Sequence, residues 1–231
     1  MTGGGREQAM QQKEPPESVS EATTHRLSLL LRSLRVLEAE GVGTVSSQQL
    51  AERFGLNAAQ IRKDLAQFGE FGVRGVGYRV GDLKERLNAV MGLDRRRTMV
   101  VLGAGHLGQA LADSKNFNSD GFRVVALFDN DRRKIGGHSR TGVPIRDVAE
   151  LPTVAREEAI EIGVLAVPAE AVPSAAVVLR NAGVKALLNF APITLAPVPG
   201  LEVKNVDLTL FLENLSYRLA ASEGRPRPKR G

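Results

Sequence analysis

Cysteine is absent from this chain of 231 residues. That excludes a disulfide framework and a thiolate metal site, and it fits a reducing cytoplasm. Histidine is scarce as well. His25, His106 and His138 lie far apart and lack the spacing of a metal cluster. No apolar run approaches the roughly 18–20 residues that span a bilayer, so no membrane segment is predicted. The first nineteen residues are polar, without the apolar stretch of a secretory signal. What the chain does have is 42% hydrophobic residues, enough for packed cores, and a length that suits two modest domains.

The net charge of +5 is unevenly spread. It comes to −1 over residues 1–19, +4 over 20–97, −1 over 98–221 and +3 over 222–231. A basic front module suggests a polyanionic partner, although a merely soluble surface would show the same count. Residues 1–19 are rich in Gly, Gln and Pro and read as a disordered tail. Ser20 is placed to cap a helix on which Leu27, Leu30, Leu31, Leu34 and Leu37 share one face, with arginines on the others, before Gly41 and Gly43 end it.

Two short helices follow in "VSSQQLAERFGLNAAQIRKDLAQFG". Ser46 or Ser47 caps the first, which ends at Gly55. Asn57 caps the second, which ends at Gly69. A longer helix followed by such a pair is the helix-turn-helix pattern. On the last helix Ile61, Leu65 and Phe68 face inward. Gln60, Arg62, Lys63 and Gln67 lie on the opposite arc, with Asp64 toward the flank. Arg and Lys on such an arc suit phosphates and guanine edges in a major groove, though three-helix modules also bind proteins. "EFGVRGVGYRV" then reads as a Gly-cornered hairpin carrying Arg74 and Arg79, a wing whose arginines could reach backbone or minor groove. A helix from about Asp82 to Met91 closes the module, and "LDRRR" is a linker.

From residue 98 the pattern changes. "TMVVLG", "FRVVALFD", "IEIGVLAVP" and "VKALLNF" are short apolar runs alternating with helical stretches, which argues for a parallel sheet covered on both faces. The first run opens into "GAGHLG". Gly103 permits the tight turn, Gly105 leaves room for a pyrophosphate, and Gly108 lets helix and strand approach. Gly103, Ala104, Gly105, His106, Leu107 and Gly108 therefore form a candidate phosphate grip, with the helix N-terminus offering N–H groups and partial positive charge. The next run ends in Asp129, an acceptor for a ribose diol. Asp131 nearby would repel a 2′-phosphate, favouring NAD(H) over NADP(H). The alternative is that these glycines merely pack a strand-turn-helix. No His, Tyr or Lys in the second half stands in an obvious catalytic arrangement. The rival readings are an NAD-dependent oxidoreductase with a basic interaction module, and a CoA- or nucleotide-binding protein that does not bind DNA.

Several stretches together resemble one family. "IRKDLAQFGEFGVRGVGY" is similar to the recognition helix and wing of Rex, the bacterial redox-sensing transcriptional repressors. "VVLGAGHLGQAL", "LFDND" and "LLNFAP" resemble that family's nucleotide-domain landmarks in order, and "VDLTLFLENLSYRLA" resembles its final helix. The resemblance spans about residues 20–220. It implies an α/β chain: a disordered tail at 1–19, a winged helix-turn-helix domain at 20–93, a Rossmann-like NAD(H)-binding domain at 94–206, a domain-swapped helix at 207–221 and a basic tail at 222–231.

The same resemblance implies a cytoplasmic homodimer, not an enzyme, that binds a palindromic double-stranded operator and is released by NADH, with NAD⁺ competing for the same site. Each terminal helix would cross to the other subunit and wedge between its two domains. Candidate DNA contacts are then Arg32, Ser47, Gln60, Arg62, Lys63, Gln67, Arg74 and Arg79. Nucleotide contacts extend to Val167, Pro168, Asn189, Phe190 and Asp207. Two positions depart from the family's pattern. Ser114 stands where a tyrosine is expected near the nicotinamide, and Leu208 stands where an aromatic residue is expected after Asp207. These substitutions bear on redox discrimination, not on fold or DNA binding.

Overall fold

The computed structural model describes residues 19–69, 71–72, 75–119 and 121–223. Arg74 and the two expected tails, apart from residues 19, 222 and 223, lie outside the described residues. The chain divides into two units that meet at Arg95 and Arg96.

The front unit is built on α1 (Glu21–Ala39). The Ser20 side chain accepts the Thr23 N–H at its start. At its end the chain turns through Gly41, whose φ of 77° is left-handed, while the Gly41 and Val42 N–H groups close back onto Glu38 and Leu37. The five leucines at helical spacing are all buried. They pack against Leu50, Ile61, Leu65, Val80, Leu83 and Leu87 from the other elements. Strand β1 (Thr44–Val45) leads into α2 (Ser47–Phe54), which begins with a reciprocal Ser46–Gln49 cap and ends at left-handed Gly55. Asn57 then caps α3 (Ala58–Ala66).

The wing differs from the predicted hairpin. Strand β2 (Tyr78–Arg79) pairs antiparallel with β1, so the strand partner lies before α2. Two strands of two residues each are thereby joined: the sheet fastens the end of the wing segment to the start of the helix pair. Gly72 lies against Gly77, where a Cβ would stand 2.5 Å from the Gly77 carbonyl oxygen. Only glycine, at a φ of 80°, permits that approach. Helix α4 (Val80–Val90) completes the unit.

The back unit is a six-stranded parallel sheet with the order β5-β4-β3-β6-β7-β8. The strands are β3 (Arg97–Leu102), β4 (Phe122–Asp129), β5 (Ile145–Asp147), β6 (Ile162–Leu165), β7 (Ala186–Asn189) and β8 (Glu202–Asn205). Helices α5 (His106–Ala112), α6 (Leu151–Glu157) and α7 (Val172–Asn181) connect them. Along β3, Val100 and Leu102 enter one core with Phe128, Leu151 and Leu179. Met99 and Val101 enter the other with Leu127 and Val164. Both faces are covered, which is why the strands read as continuous apolar runs. Two strands carry no such run. β5 is three residues long, and β8 is an edge strand with exposed Glu202 and Lys204, residues that discourage further pairing. The sheet reverses its direction of winding between β3 and β6, and ligands of such sheets bind at that point.

After β8 comes α8 (Leu208–Ser222), a helix with no buried residue. Leu208, Leu210, Phe211, Leu212, Leu215, Tyr217 and Leu219 are each more than half exposed.

Candidate functional site

A cavity of about 770 Å³ opens at the switch point, between the ends of β3 and β4 and the start of α7. The Gly-rich turn forms its floor, and each glycine there has a separate reason. Gly103 has a φ of 98°, and a Cβ on it would lie 2.3 Å from the Ala166 carbonyl oxygen. A Cβ on Gly108 would lie 1.8 Å from the Gly103 carbonyl oxygen, so α5 could not pack on the turn. Gly105 faces open space. The first two glycines build the turn, and the third leaves its mouth free.

Of the predicted nucleotide contacts, Gly103, Gly105, His106, Leu107, Asp129, Asp131, Val167 and Pro168 line the cavity. Ala104 and Gly108 are buried beneath it. The Ala104 N–H donates to Asp129 Oδ2 at 2.8 Å, tying the turn to the end of β4. Lys134, which sequence reading passed over, lines the cavity and places Nζ 2.9 Å from the same oxygen. Burial pushes the Asp129 carboxyl up. The Asp131 N–H, the Lys134 ammonium and the Ala104 N–H outweigh it and hold the pKa below the ordinary value. Asp131 is held at about 2, chiefly by Arg133.

Each carboxylate has a cationic partner in the same short loop, Lys134 for Asp129 and Arg133 for Asp131, and both stay ionised at neutral pH. The opposite wall comes from α7 and the residue before it, where Ala171, Ala175 and Val178 present a small apolar face. Their i, i+4, i+7 spacing was visible in "EAVPSAAVVLRNAG", but a sheet-facing stripe has the same period.

Three predicted contacts are not in the cavity. Asn189 is fully buried, and its Nδ2 donates to the Ile193 carbonyl and to Asn205 Oδ1, which organises the loop after β7. Phe190 packs into the core beside Val101 and Leu127. Asp207 caps α8, accepting the Thr209 N–H at 2.8 Å and the Thr209 hydroxyl, and these bonds lower its pKa. Ser114 is half-buried just beyond α5 and accepts the Asn116 N–H.

On the front unit, Arg62 and Lys63 are exposed on α3 as expected. Arg62 Nη1 donates to Ser47 Oγ at 2.7 Å, so two predicted DNA contacts meet across the helix pair. Gln67 is half-buried at the end of α3, Arg32 is exposed on α1, and Arg79 is exposed before α4 with Nε 3.5 Å from Asp82. Gln60 is corrected: its amide turns inward and donates to Asp64 Oδ1 at 2.7 Å. Asp64 is corrected too. Its side chain is 3% exposed, not on a solvated flank, and Arg26 of α1 grips both carboxylate oxygens at 2.6 and 2.8 Å.

That pair makes a pH prediction. The Arg26 bond, aided by Gln60, lowers the Asp64 pKa against a smaller burial effect. A depressed carboxylate stabilises fully above its unfolded pKa of about 3.9, and the contribution is lost as pH falls through the folded value. The stability gap between wild type and Asp64→Asn should thus be constant at neutral pH and shrink below about pH 4. Urea midpoints of the front unit across that range check it; a gap that persists at pH 3 would remove the carboxylate from the argument.

Residues 18–66 match the family model "Putative DNA-binding protein N-terminus", and residues 94–193 match "CoA binding domain". The redox-sensing transcriptional repressor Rex of Desulforamulus reducens is 45% identical over 205 residues, covering 89% of this chain and 97% of the relative. Rex 1 of Thermotoga maritima is 42% identical, with 88% and 97% covered. The chain belongs to the Rex family of redox-sensing transcriptional repressors.

Solved structures agree with that membership. RSP, a Rex-family repressor in complex with β-NAD⁺ and operator DNA, superimposes with a TM-score of 0.83 at 37% identity, covering 90% of this chain and 95% of RSP. RSP with β-NADH gives 0.78 at 36% identity, with 90% and 97% covered. Membership makes this Rex-family chain a repressor with a Rossmann-like domain and not an enzyme. Among the described residues, no helix is long and apolar enough to cross a membrane.

Proposed function

We propose that this chain represses transcription by binding a palindromic operator through α3 and the wing, and that NADH in the back-unit cavity releases it while NAD⁺ competes. The observation that carries the reading is the pairing, in one chain, of a basic recognition helix braced by Ser47 with a Gly-rich turn that opens onto the cavity at the sheet's switch point. The acidic and basic groups at the adenosine end are matched as ion pairs, which suits holding a ligand more than proton transfer. A repressor of this bacterial family works where the chromosome is, in the cytoplasm.

The working unit is a homodimer. An amphipathic segment with no buried side chain and seven exposed large apolar residues costs too much in water to stand alone. Its apolar surface is satisfied by a second copy, consistent with the swapped helix at 207–221. NADH and NAD⁺ differ only at the nicotinamide ring, so discrimination arises where the ring sits, near Ser114 and the partner's Asp207–Leu208 by family resemblance. Asp207 remains ionised at neutral pH and can favour the cationic ring.

Operator binding measured at fixed total nucleotide, with the NADH/NAD⁺ ratio varied, tests the reading. Release is expected to rise with the ratio, and Asp207→Ala to flatten the response. Release that ignores the ratio would mean the chain reads nucleotide level, not redox state.

A further inference from the structure

The chain crosses from β4 to β5 without a helix. Residues 130–144 begin with Asn130, Asp131 and Lys134 on the cavity wall. They continue as a narrow hairpin: the Gly136 N–H donates to the Ile145 carbonyl, the Ile145 N–H to Gly137, and the Ser139 N–H to Val143, all within 2.9 Å. The tip of this hairpin reaches the C-terminal end of α5, the helix whose N-terminal end forms the phosphate side of the same cavity. One carboxylate joins them. Asp113 caps α5, and its side chain is 9% exposed. Its Oδ1 accepts the Ser139 hydroxyl at 2.6 Å, the Thr141 N–H at 3.0 Å and the Thr141 hydroxyl at 2.5 Å. Arg140 Nε lies 3.8 Å from Oδ2. Burial alone would raise the Asp113 pKa, but the Ser139 and Thr141 donors outweigh it and hold the group at about 2. The clamp is therefore ionised throughout the physiological range, when charge-assisted hydrogen bonds are strongest.

A dinucleotide held by this cavity must touch both walls at once: the turn at Gly105 and the Asp129–Lys134 end. The Ala104–Asp129 bond ties the turn to the end of β4, but the loop beyond it, with Asp131 and Lys134, leaves the sheet, and its position is a preorganisation that binding would otherwise have to supply. We propose that Asp113 is a positioning residue for the dinucleotide, fastening the 139–141 hairpin tip to α5 and so setting the gap between the phosphate-binding turn and the adenosine end of the cavity. This rests on the reading that the cavity takes NAD(H). Asp113 does not itself line the cavity. Its effect passes through Ser139 and Thr141 to the loop that carries Asp131 and Lys134.

The test uses the full-length chain and ADP-ribose as the probe, because ADP-ribose spans both walls and lacks the nicotinamide. Calorimetry is run on wild type, Asp113→Ala, Asp113→Asn and the double variant Ser139→Ala/Thr141→Val. Loss of one charge-assisted clamp should weaken ADP-ribose by about tenfold or more in Asp113→Ala. Asp113→Asn keeps the Oδ1 acceptor and loses the charge, so it should recover part of that loss. The Ser139→Ala/Thr141→Val variant removes both hydroxyls and keeps the Thr141 N–H bond, so it should lose most of what Asp113→Ala loses, and the combined variant should lose no more than Asp113→Ala alone, because both ends belong to one interaction. Nucleotide-free operator binding should stay at the wild-type level in every variant.

ADP-ribose affinity unchanged in Asp113→Ala would overturn the proposal, as would losses that simply add in the combined variant. A parallel fall in nucleotide-free operator binding would also overturn it, since that marks general unfolding. If Asp113→Ala does not fold, the Ser139→Ala/Thr141→Val variant decides by the same readouts. A wild-type chain that binds no ADP-ribose would overturn the nucleotide reading itself, and this proposal with it.

Discussion

Replacing Arg62 and Lys63 together by alanine is expected to weaken operator binding roughly a hundredfold or more, while dinucleotide binding stays unchanged. Both side chains are exposed on α3, and neither supports the core. A lost base-edge contact costs about 1–3 kcal/mol of discrimination, and each lost phosphate contact lowers the salt slope by about one. Arg62 also carries the bond to Ser47 Oγ, which holds the guanidinium in one direction before DNA arrives. Ser47→Ala should therefore cost less than Arg62→Ala but in the same sense, since it removes the brace and keeps the charge. Fluorescence anisotropy on a palindromic operator at several salt concentrations distinguishes the cases. Wild-type affinity in the double variant at matched salt would remove α3 from the interface.

Gly105→Glu is expected to abolish NADH and NAD⁺ binding and leave a repressor that NADH cannot release. Gly105 has a φ of −77°, a region open to any residue, and a Cβ there meets nothing within 4 Å. The fold should tolerate the change at a cost of about 1 kcal/mol, that of replacing a favourable N-cap residue. The added carboxylate occupies the mouth of the turn, where a pyrophosphate would sit, and repels it. Gly103→Ala and Gly108→Ala are expected to behave differently. Their Cβ atoms would collide with the carbonyl oxygens of Ala166 and Gly103, so those variants should lose stability first and nucleotide as a consequence. Calorimetric NADH binding and an unfolding midpoint on the three variants make the comparison. Operator release by NADH at the wild-type concentration in Gly105→Glu would place the ligand elsewhere.

The caps and turns were legible because they are local. Ser20, Ser46 and Asn57 stand one residue before their helices, and each satisfies an N–H within three residues of itself. Gly55 and Gly41 adopt the left-handed backbone that their neighbours in sequence demanded. The Gly-rich turn was legible for the same reason, since strand, turn and helix are contiguous. The four buried strands declared themselves as apolar runs, whereas β5 and β8 did not. An edge strand shows water one side, and three residues are too few to make a pattern.

What the sequence by itself determined is most of the elements, the change of pattern between the two modules and the Gly-rich strand-turn-helix, all carried by contacts a few residues long. Only the tertiary structure decided which way the longer-range polar groups point. Helical periodicity put Gln60 and Asp64 on or near the exposed arc of α3. Arg26, 38 residues away, draws Asp64 inward, and Gln60 follows it. Asn189 is spent on Asn205 and the Ile193 carbonyl, and Lys134 was silent in sequence yet pairs with Asp129 at the cavity's rim. The reason is physical. A buried charge or amide must find its partner wherever the fold supplies one, because leaving it unpaired costs more than any local preference can return. That partner's sequence distance follows from strand order and crossover, which no window of neighbouring residues contains.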